Sequence, residues 1–259
     1  MCLLVLAWNA HPRYRLVVAA NRDEYHERPT APLGRWPSAP EILAGRDLRA
    51  GGTWLGIDRG RRFGIVTNFR DLMGAPPQAP SRGGLIPRYL NGKAGPGDYL
   101  AALAPEAEAY GGFNLLLADG ESLWYASNRG TPFARALSPG IHGLSNERLD
   151  TPWPKLVRVR DGFEAWLRGG GGVDDGRLFA LLADRAPASD LGLPSTDVSP
   201  EWERTLSSPF VLNPSYGTRC STLVAIEPAG ACFVAERRFD PSGACSGETQ
   251  YQLAPGELP

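Results

Sequence analysis

An α+β fold of two mainly antiparallel sheets packed together and covered by helices is predicted by three observations. Gly 31 and Pro 24 make up about a fifth of the 259 residues, which favours short strands joined by tight turns over a helical bundle. Apolar runs of strand length lie at both ends of the chain, and segments with helical spacing lie between them. Each sheet must bury an apolar face, so we expect the helices to cover the sheets.

The first half of the chain contains three predicted hairpins. Residues 2–7 and 15–20 are continuous apolar runs joined by a connection that contains Pro12, which is typical of a buried hairpin. Two later pairs of apolar runs are separated by short turn sequences with glycine. These pairs are 53–58 with 62–67, and 113–119 with 122–128.

Helices are predicted where apolar residues recur at spacings of three and four. The four segments are 85–92, 98–110, 153–167 and the run that begins at 178. The chain then returns to strands at 221–227 and 231–239, with a last one around 249–253. The glycine run 169–172 and the Pro/Ser-rich stretch 187–214 are interpreted as loops, because neither flanking part has enough strands to close a core alone. We therefore expect one domain over residues 1–259.

Charge and cysteine usage exclude several classes of protein. Lys+Arg 27 against Asp+Glu 28 leaves no basic surplus for a nucleic-acid binder. No apolar run reaches the ~18 to 20 residues of a membrane span, and the first residues lack the positive start of a signal peptide. The four cysteines form no CxxC pair or zinc pattern. We expect a cytoplasmic protein with free thiols, no metal and no cofactor; nothing in the sequence indicates an oligomeric state.

Cys2 is the first candidate for chemistry. Removal of Met1 would leave a cysteine with both a thiol and a free α-amino group, whose pKa of about 7.7 to 8.0 suits it to accept the thiol proton near neutral pH. One residue would then supply both nucleophile and base. A buried core cysteine is the simpler alternative. Retention of Met1 would block the amine and favour a binding protein over a hydrolase.

A polar cluster follows the second predicted strand, in Asn21, Arg22, Asp23 and Glu24. Arg22 beside a thiol would favour the thiolate or bind a carboxylate, and Asp23 would orient an ammonium or an arginine. A solvated turn with local ion pairs is the alternative interpretation.

Three further polar positions lie at the ends of predicted strands. Asn68 and Asn146 carry amide donors of the kind that acyl transfer needs for a developing oxyanion, and Arg219 precedes the strand at 221. Trp54 lies in a glycine-rich segment, GGTWLG, which lacks the Lys-Ser/Thr of a phosphate loop.

These segments together resemble the NRDE family, which is also named for transport and Golgi organisation. The resemblance covers residues 1 to about 253. It rests on the Met-Cys start, Asn-Arg-Asp-Glu at 21–24, GGTWLG at 51–56, Thr-Asn-Phe-Arg at 67–70, Ser-Arg-Gly at 81–83, Gly-Leu-Ser-Asn at 143–146 and Tyr-Gly-Thr-Arg at 216–219. It implies an N-terminal nucleophile hydrolase-like fold, which is a four-layer αββα sandwich.

A more distant resemblance, to bile-salt hydrolases and penicillin V acylases, implies roles for single residues. Cys2 matches the nucleophile, Asp23 matches an aspartate of the site, and Asn146 matches an oxyanion asparagine. Arg219 is similar to the C-terminal catalytic arginine, and Asn68 lies where a second oxyanion donor is expected. The arginine that precedes the asparagine in those enzymes is Ala20 here. Arg22 is instead assigned to substrate binding, with Trp54 and Arg70.

The leading hypothesis is a cysteine N-terminal nucleophile amidohydrolase that cleaves a linear, non-peptide amide or a related acyl bond in a small molecule. The alternative is a non-catalytic binding or trafficking protein for haem or an acyl- or lipid-type ligand, which the family resemblance implies. A glutamine amidotransferase half also begins with Met-Cys, but Leu3 stands where glycine is usual.

Overall fold

A computed structural model describes residues 2–70, 74, 76, 78–174, 176–189, 192–193 and 199–258. Its strands form two antiparallel sheets. In chain order they are β1 (Cys2–Trp8), β2 (Leu16–Tyr25), β3 (Thr30–Trp36), β4 (Ala39–Asp47), β5 (Leu55–Asp58), β6 (Phe63–Asn68), β7 (Phe113–Ala118), β8 (Leu123–Ser127), β9 (Ala134–Ala136), β10 (Gly140–Leu144), β11 (Tyr216–Ile226), β12 (Cys232–Phe239) and β13 (Cys245–Leu253).

The two sheets are assembled differently. The seven-stranded sheet follows the chain from β3 to β9, so each strand pairs with the next one. The six-stranded sheet has the order β10-β1-β2-β11-β12-β13, which places β2, from the N-terminal part of the chain, beside β11, from the C-terminal part. Residues 16–25 of β2 pair with residues 216–226 of β11. This pairing brings the polar end of β2 against the start of β11.

Helices cover the outer face of each sheet. In chain order they are α1 (Leu85–Asn91), α2 (Pro96–Leu103), α3 (Pro154–Arg168), α4 (Arg177–Leu182) and α5 (Pro200–Leu206), with 3₁₀ helices at Arg82–Gly84 and Ala104–Ala109. Proline in the first turn of α2, α3 and α5 fits positions whose N–H has no partner inside the helix. Apolar residues of α1 and α2 pack on the seven-stranded sheet, and those of α3 and α4 on the six-stranded sheet.

The core alternates from residue to residue along the strands. Leu4 and Leu6 of β1 belong to the cluster between the two sheets, whereas Leu3 and Val5 belong to the cluster under α3 and α4. Period-two alternation therefore buries both faces of this strand, which accounts for its continuous apolar sequence. The layers run helix, sheet, sheet, helix, and the predicted α+β, αββα architecture is confirmed.

The predicted hairpins and the C-terminal strands are present, but several elements differ from the prediction. The helix predicted over 98–110 ends at Leu103 and continues as a 3₁₀ turn, because Pro105 cannot donate the next helical hydrogen bond. β11 begins at Tyr216 rather than at 221. Strands β3, β4, β9 and β10 were not predicted, and α5 lies in the stretch interpreted as a loop.

A membrane-crossing helix is not found among the described residues, since each of their helices is too short or too polar.

Candidate functional site

Asn21 is fully committed to internal hydrogen bonds. Its Nδ2 donates to the carbonyl oxygens of Leu182 and Pro209, at 2.8 and 2.9 Å, and its Oδ1 accepts from the Ser221 hydroxyl at 2.6 Å. The side chain thus ties β2 to β11 and to the chain beside α4. This asparagine of the polar cluster serves the packing of the site rather than its chemistry.

Asp23 lies at the same strand end and is buried. Its Oδ1 accepts a hydrogen bond from the Thr218 hydroxyl at 2.7 Å, and its carbonyl oxygen accepts one from the Tyr216 hydroxyl at 3.0 Å. Burial raises the pKa of Asp23, while the charge of Lys155 and the Thr218 hydrogen bond oppose that rise. The structure thus places the carboxyl in a low-dielectric environment where its protonation state depends on its neighbours.

Lys155 is a charged neighbour of this site that the sequence argument missed. It lies in the first turn of α3, is 1% exposed, and its Nζ donates to the carbonyl oxygen of Leu206 at 2.8 Å. A buried lysine is rare without a specific partner. The signal was available, because Lys155 falls in line with Val159 and Phe163, on the apolar face of the predicted helix.

Asn68 and Asn146 lie together in the structure, and the contact between them is made through the Asn68 backbone carbonyl. Asn146 is fully buried, and its Nδ2 donates to the carbonyl oxygen of Asn68 at 2.9 Å. The Arg70 backbone N–H donates to the Asn146 carbonyl oxygen at 2.6 Å. Asn68 itself is exposed at the end of β6. The two predicted oxyanion donors therefore lie on neighbouring, mutually hydrogen-bonded segments.

A further asparagine, which the sequence analysis did not single out, stabilises the segment that carries Asn146. Asn114 on β7 donates to the carbonyl oxygen of Glu147 at 2.8 Å and accepts from the Tyr125 hydroxyl at 2.7 Å. The Thr67 hydroxyl donates to the Ser145 carbonyl oxygen at 3.3 Å. These bonds hold the segment after β10 against the seven-stranded sheet.

Arg22 and Trp54 lie side by side at a cavity that is also lined by residues of β4 and β6. The guanidinium carbon of Arg22 lies 4.4 Å from the centre of the Trp54 ring, within the range of a cation–π interaction. The cavity has a volume of about 110 Å³. Its lining residues are Arg22, Asp23, Glu24, Arg28, Asp47, Thr53, Trp54, Val66, Asn68, Ser81, Arg82 and Gly83.

Arg219 lies next to this cavity, where the pairing of β11 with β2 shifts register between Thr218 and Cys220. Its Nη1 donates to the carbonyl oxygens of Tyr25 and Arg28, at 2.8 and 3.2 Å. Burial lowers the pKa of Arg219, and the positive charge of Arg22 lowers it further. Two guanidinium groups therefore lie close enough to repel each other.

Arg70 does not line the cavity in the described part of the chain. Its Nη1 donates to both carboxylate oxygens of Glu203 on α5, at 2.6 and 2.7 Å, and its guanidinium lies over the Trp153 ring at 4.6 Å. Its backbone contact with Asn146 connects it to the site. Substrate binding by Arg70 remains a prediction.

Cys2 begins β1, and its backbone pairs with that of Arg22, which pairs on its other side with Cys220. The Cys2 side chain and Met1 lie outside the described residues, so the proposed thiol chemistry and the removal of Met1 remain predictions.

The described ranges hold no group of three or more His, Cys, Asp or Glu side chains that could bind a metal ion. Each histidine there has polar or aromatic contacts within the protein. His11 stacks on Trp166, His26 lies 3.0 Å from the Asn213 carbonyl oxygen, and His142 lies 3.2 Å from Asp150.

Comparison with known sequences identifies the family. The family model described as "Transport and Golgi organisation 2" matches residues 1–241. This chain belongs to that family. The Homo sapiens Transport and Golgi organization protein 2 homolog is 33% identical over 256 residues, covering 92% of both chains. The Bos taurus homolog is 34% identical over 270 residues, covering 96% of this chain and 97% of its own.

Comparison with solved structures identifies the fold of this family member. A mutant of the conjugated bile acid hydrolase from Clostridium perfringens matches with a TM-score of 0.52, over 98% of this chain and 92% of the hydrolase. Sequence identity is 7%, so the match establishes the N-terminal nucleophile hydrolase-like fold alone.

Proposed function

We propose that this member of the Transport and Golgi organisation 2 family is a cysteine N-terminal nucleophile amidohydrolase acting on a non-peptide amide or a related acyl bond. One observation carries the proposal. In an N-terminal nucleophile hydrolase-like fold, the backbone of Cys2 lies directly opposite Arg22, one residue from the buried Asp23, at the strand end that opens into the cavity. An N-terminal cysteine at that position has both groups that acyl transfer requires.

The proposed reaction begins with proton transfer from the Cys2 thiol to its own α-amino group. The thiolate attacks the acyl carbon, and an Sγ–C bond forms as the C–N bond breaks. The leaving amine takes the proton back from the α-ammonium, and water then hydrolyses the thioester to a carboxylic acid. This sequence needs no external reductant or oxidant and regenerates the thiol.

The surrounding residues supply charge stabilisation and orientation. Asn68 and Asn146 are assigned to the oxyanion, since amide donors on segments held by hydrogen bonds need little reorganisation as charge develops. Asp23 and Arg219 are assigned to orientation of the α-amino group and the substrate. Arg22 and Trp54 line the cavity and are assigned to substrate binding. Arg70, whose backbone N–H donates to the Asn146 carbonyl oxygen, is assigned to substrate binding as well.

Peptide mapping by mass spectrometry after brief alkylation tests the nucleophile. The untagged chain is treated between pH 5 and 9, and the N-terminal residue and the labelled thiols are determined together. Burial raises the pKa of Cys232 to about 12, so this thiol is an internal reference for an inert cysteine. Cys245 is exposed and is the reference for an ordinary accessible thiol. We expect Met1 to be absent and Cys2 to be labelled faster than both.

Turnover of an acyl-substrate panel completes the test. Cys2→Ala should abolish hydrolysis of every accepted substrate, whereas the matched variant Cys245→Ser should retain it. Retention of Met1, or unchanged turnover in Cys2→Ala, would reject the hydrolase. Ligand binding without hydrolysis is the alternative function of the same chain. A titration with haem and with fatty acyl ligands, followed by absorbance and calorimetry, identifies it.

A further inference from the structure

The Arg22 guanidinium is buried with an unmet hydrogen-bonding capacity. The residue is 6% exposed, and among the described residues its Nη1 atom has no hydrogen-bond partner. The carboxylate of Glu24 lies 3.8 Å from Nη2, which is longer than a hydrogen bond. A buried donor of a charged group that makes no hydrogen bond is costly, because it has lost its water without a replacement. Arg22 lines the cavity and therefore has space for a ligand to supply that replacement.

Trp54 and Gly45 hold this guanidinium in one orientation. Trp54 carries Arg22 on its ring at 4.4 Å, and Gly45 of β4 lies against the same tryptophan side chain. A Cβ atom added at Gly45 would lie 2.2 Å from the Trp54 ring, so only glycine leaves room for the ring there. Because Gly45 leaves room for the Trp54 indole, and the indole in turn packs against the Arg22 guanidinium, the N–H donors of this planar group are held in a fixed orientation before a ligand binds.

The charges around the cavity favour a ligand with one negative charge. Arg28 and Arg82 also line it, but the Arg28 guanidinium is paired with Asp47 at 2.7 Å, and the Arg82 Nη1 donates to the Gly112 carbonyl oxygen at 2.8 Å. Arg219 does not line the cavity, but its positive charge adds to that of Arg22 and also favours an anionic ligand beside Arg22. Asp23, Glu24 and Asp47 border the same space and would repel a multiply charged group.

We propose that this cavity is a carboxylate-binding site in which Arg22 binds the ligand carboxylate through paired N–H···O hydrogen bonds, and Trp54 is the positioning residue that orients Arg22. A short aliphatic acid matches both the small volume and the single charge. This inference goes beyond the proposed function, because binding of a carboxylate does not require hydrolysis. If both hold, the carboxylate is part of the substrate or of the acid product.

Calorimetric titration of the full-length protein tests the site with three probes of similar size. Butyrate carries the planar monoanion, butyramide is its neutral analogue, and inorganic phosphate is a tetrahedral anion. We expect butyrate to bind at least tenfold more tightly than butyramide and more tightly than phosphate. Equal affinity for butyrate and butyramide, preferential phosphate binding, or no binding at all would each overturn the proposal. This comparison uses the unaltered chain, so it does not depend on the folding of a variant.

Variants then assign the binding to named residues. Arg22→Gln should lower butyrate affinity at least tenfold, Arg22→Lys should lose less, and Trp54→Phe should weaken binding several-fold by loosening the guanidinium. Arg168→Gln, at the exposed end of α3, is the matched control and should bind as the unaltered chain does. An equal loss in Arg168→Gln and Arg22→Gln would reject the assignment. If alkylation shows that Cys2 is inert while the unaltered chain still binds butyrate, the hydrolase is rejected and the carboxylate site stands.

Discussion

At the scale of single residues, the burial of Asp23 has a measurable consequence for pH dependence. Burial raises the pKa of Asp23 above its value in the unfolded chain, so the folded protein binds that proton more tightly. The contribution of this group to the free energy of unfolding is therefore greatest below its unfolded pKa of 3.8 and is lost as pH rises through the higher folded pKa. Each unit of difference between the two pKa values corresponds to about 1.4 kcal/mol. Asp23→Asn removes the titration and keeps an oxygen that accepts the Thr218 hydroxyl.

Urea unfolding of the unaltered chain and of Asp23→Asn between pH 4 and 8 measures this pH dependence of stability. The free energy of unfolding of Asp23→Asn should increase relative to that of the unaltered chain as pH rises. Asp161→Asn, an exposed change on α3, is the control and should show no such divergence. Parallel pH profiles for Asp23→Asn and the unaltered chain would mean that the carboxyl ionises normally in the folded state.

The same scale separates what sequence could predict of the site from what it could not. Asp23 and Asn146 were found because they stand in short motifs that resemble known ones. Lys155 and Asn114 stand in no such motif. Helical spacing places Lys155 on the apolar face of α3, but its proximity to Asp23, like the contacts of Asn114, arises only from what the fold packs beside these residues. That the Asn146 amide binds a backbone carbonyl also depends on three-dimensional contact, which no residue type encodes.

At the scale of elements, the connection between β10 and α3 is held by Asp150. Its Oδ1 accepts from the Gly143 backbone N–H at 2.7 Å, and its Oδ2 lies 3.2 Å from the His142 ring. Burial opposes ionisation of Asp150, but the His142 hydrogen bond, the Gly143 N–H and Arg160 together lower its pKa. The hydrogen bond to Asp150 raises the pKa of His142 against the effect of burial. This contact stabilises the segment that carries Asn146.

Asp150→Asn should therefore destabilise the protein in a pH-dependent way. The contribution of His142 is fully present below its unfolded pKa of 6.5 and is lost as pH rises through its higher folded pKa. We expect a loss of about 1 kcal/mol at pH 5.5, because the pair is partly solvated, and a smaller loss at pH 8.5. Asn tolerates the positive φ of 64° at this position, so the backbone is retained. Urea unfolding at both pH values measures the difference; a larger loss at pH 8.5 would contradict it.

Elements were predicted well where local pattern determines them. β1, β2 and α3 follow from continuous or periodic apolar residues. β3 contains Pro32 and few apolar residues, and it forms because β4 pairs with it. α5 begins with a Ser199 cap inside a Pro/Ser-rich stretch, where composition indicates a loop. β3 thus depends on its neighbouring strand, whereas α5 depends on a local capping residue that overall composition does not reveal.

At the scale of the whole molecule, the inter-sheet core should make the chain unfold as one unit. Leu6 on β1 is fully buried between the sheets, so Leu6→Ala removes contacts with both. We expect a loss of about 2 to 5 kcal/mol. Far-UV circular dichroism and tryptophan fluorescence should report the same single transition for this variant. Leu48→Ala, at a residue that is 55% exposed, should change little. Two separated transitions would reject the single-domain prediction for residues 1–259.

The sheet order could not be obtained from pattern alone. The pairing of β2 with β11 joins segments about 200 residues apart, and it is this pairing that brings Thr218 to Asp23. Local sequence specifies that each is a strand, whereas the partner is selected by how both sheets close over a shared core. Only the family resemblance pointed to that arrangement.

The Arg70–Glu203 ion pair limits which substitutions α5 can accept. The two residues are 133 positions apart, and their side chains are 14% and 4% exposed. Loss of either charge would leave the other without its counterpart in a largely dry environment, which is more harmful than replacing both by apolar residues. We therefore expect a substitution at one of these positions to be tolerated better when the other position is substituted as well. Substitutions in α5 are thus coupled, through Arg70, to the segment that carries Asn146.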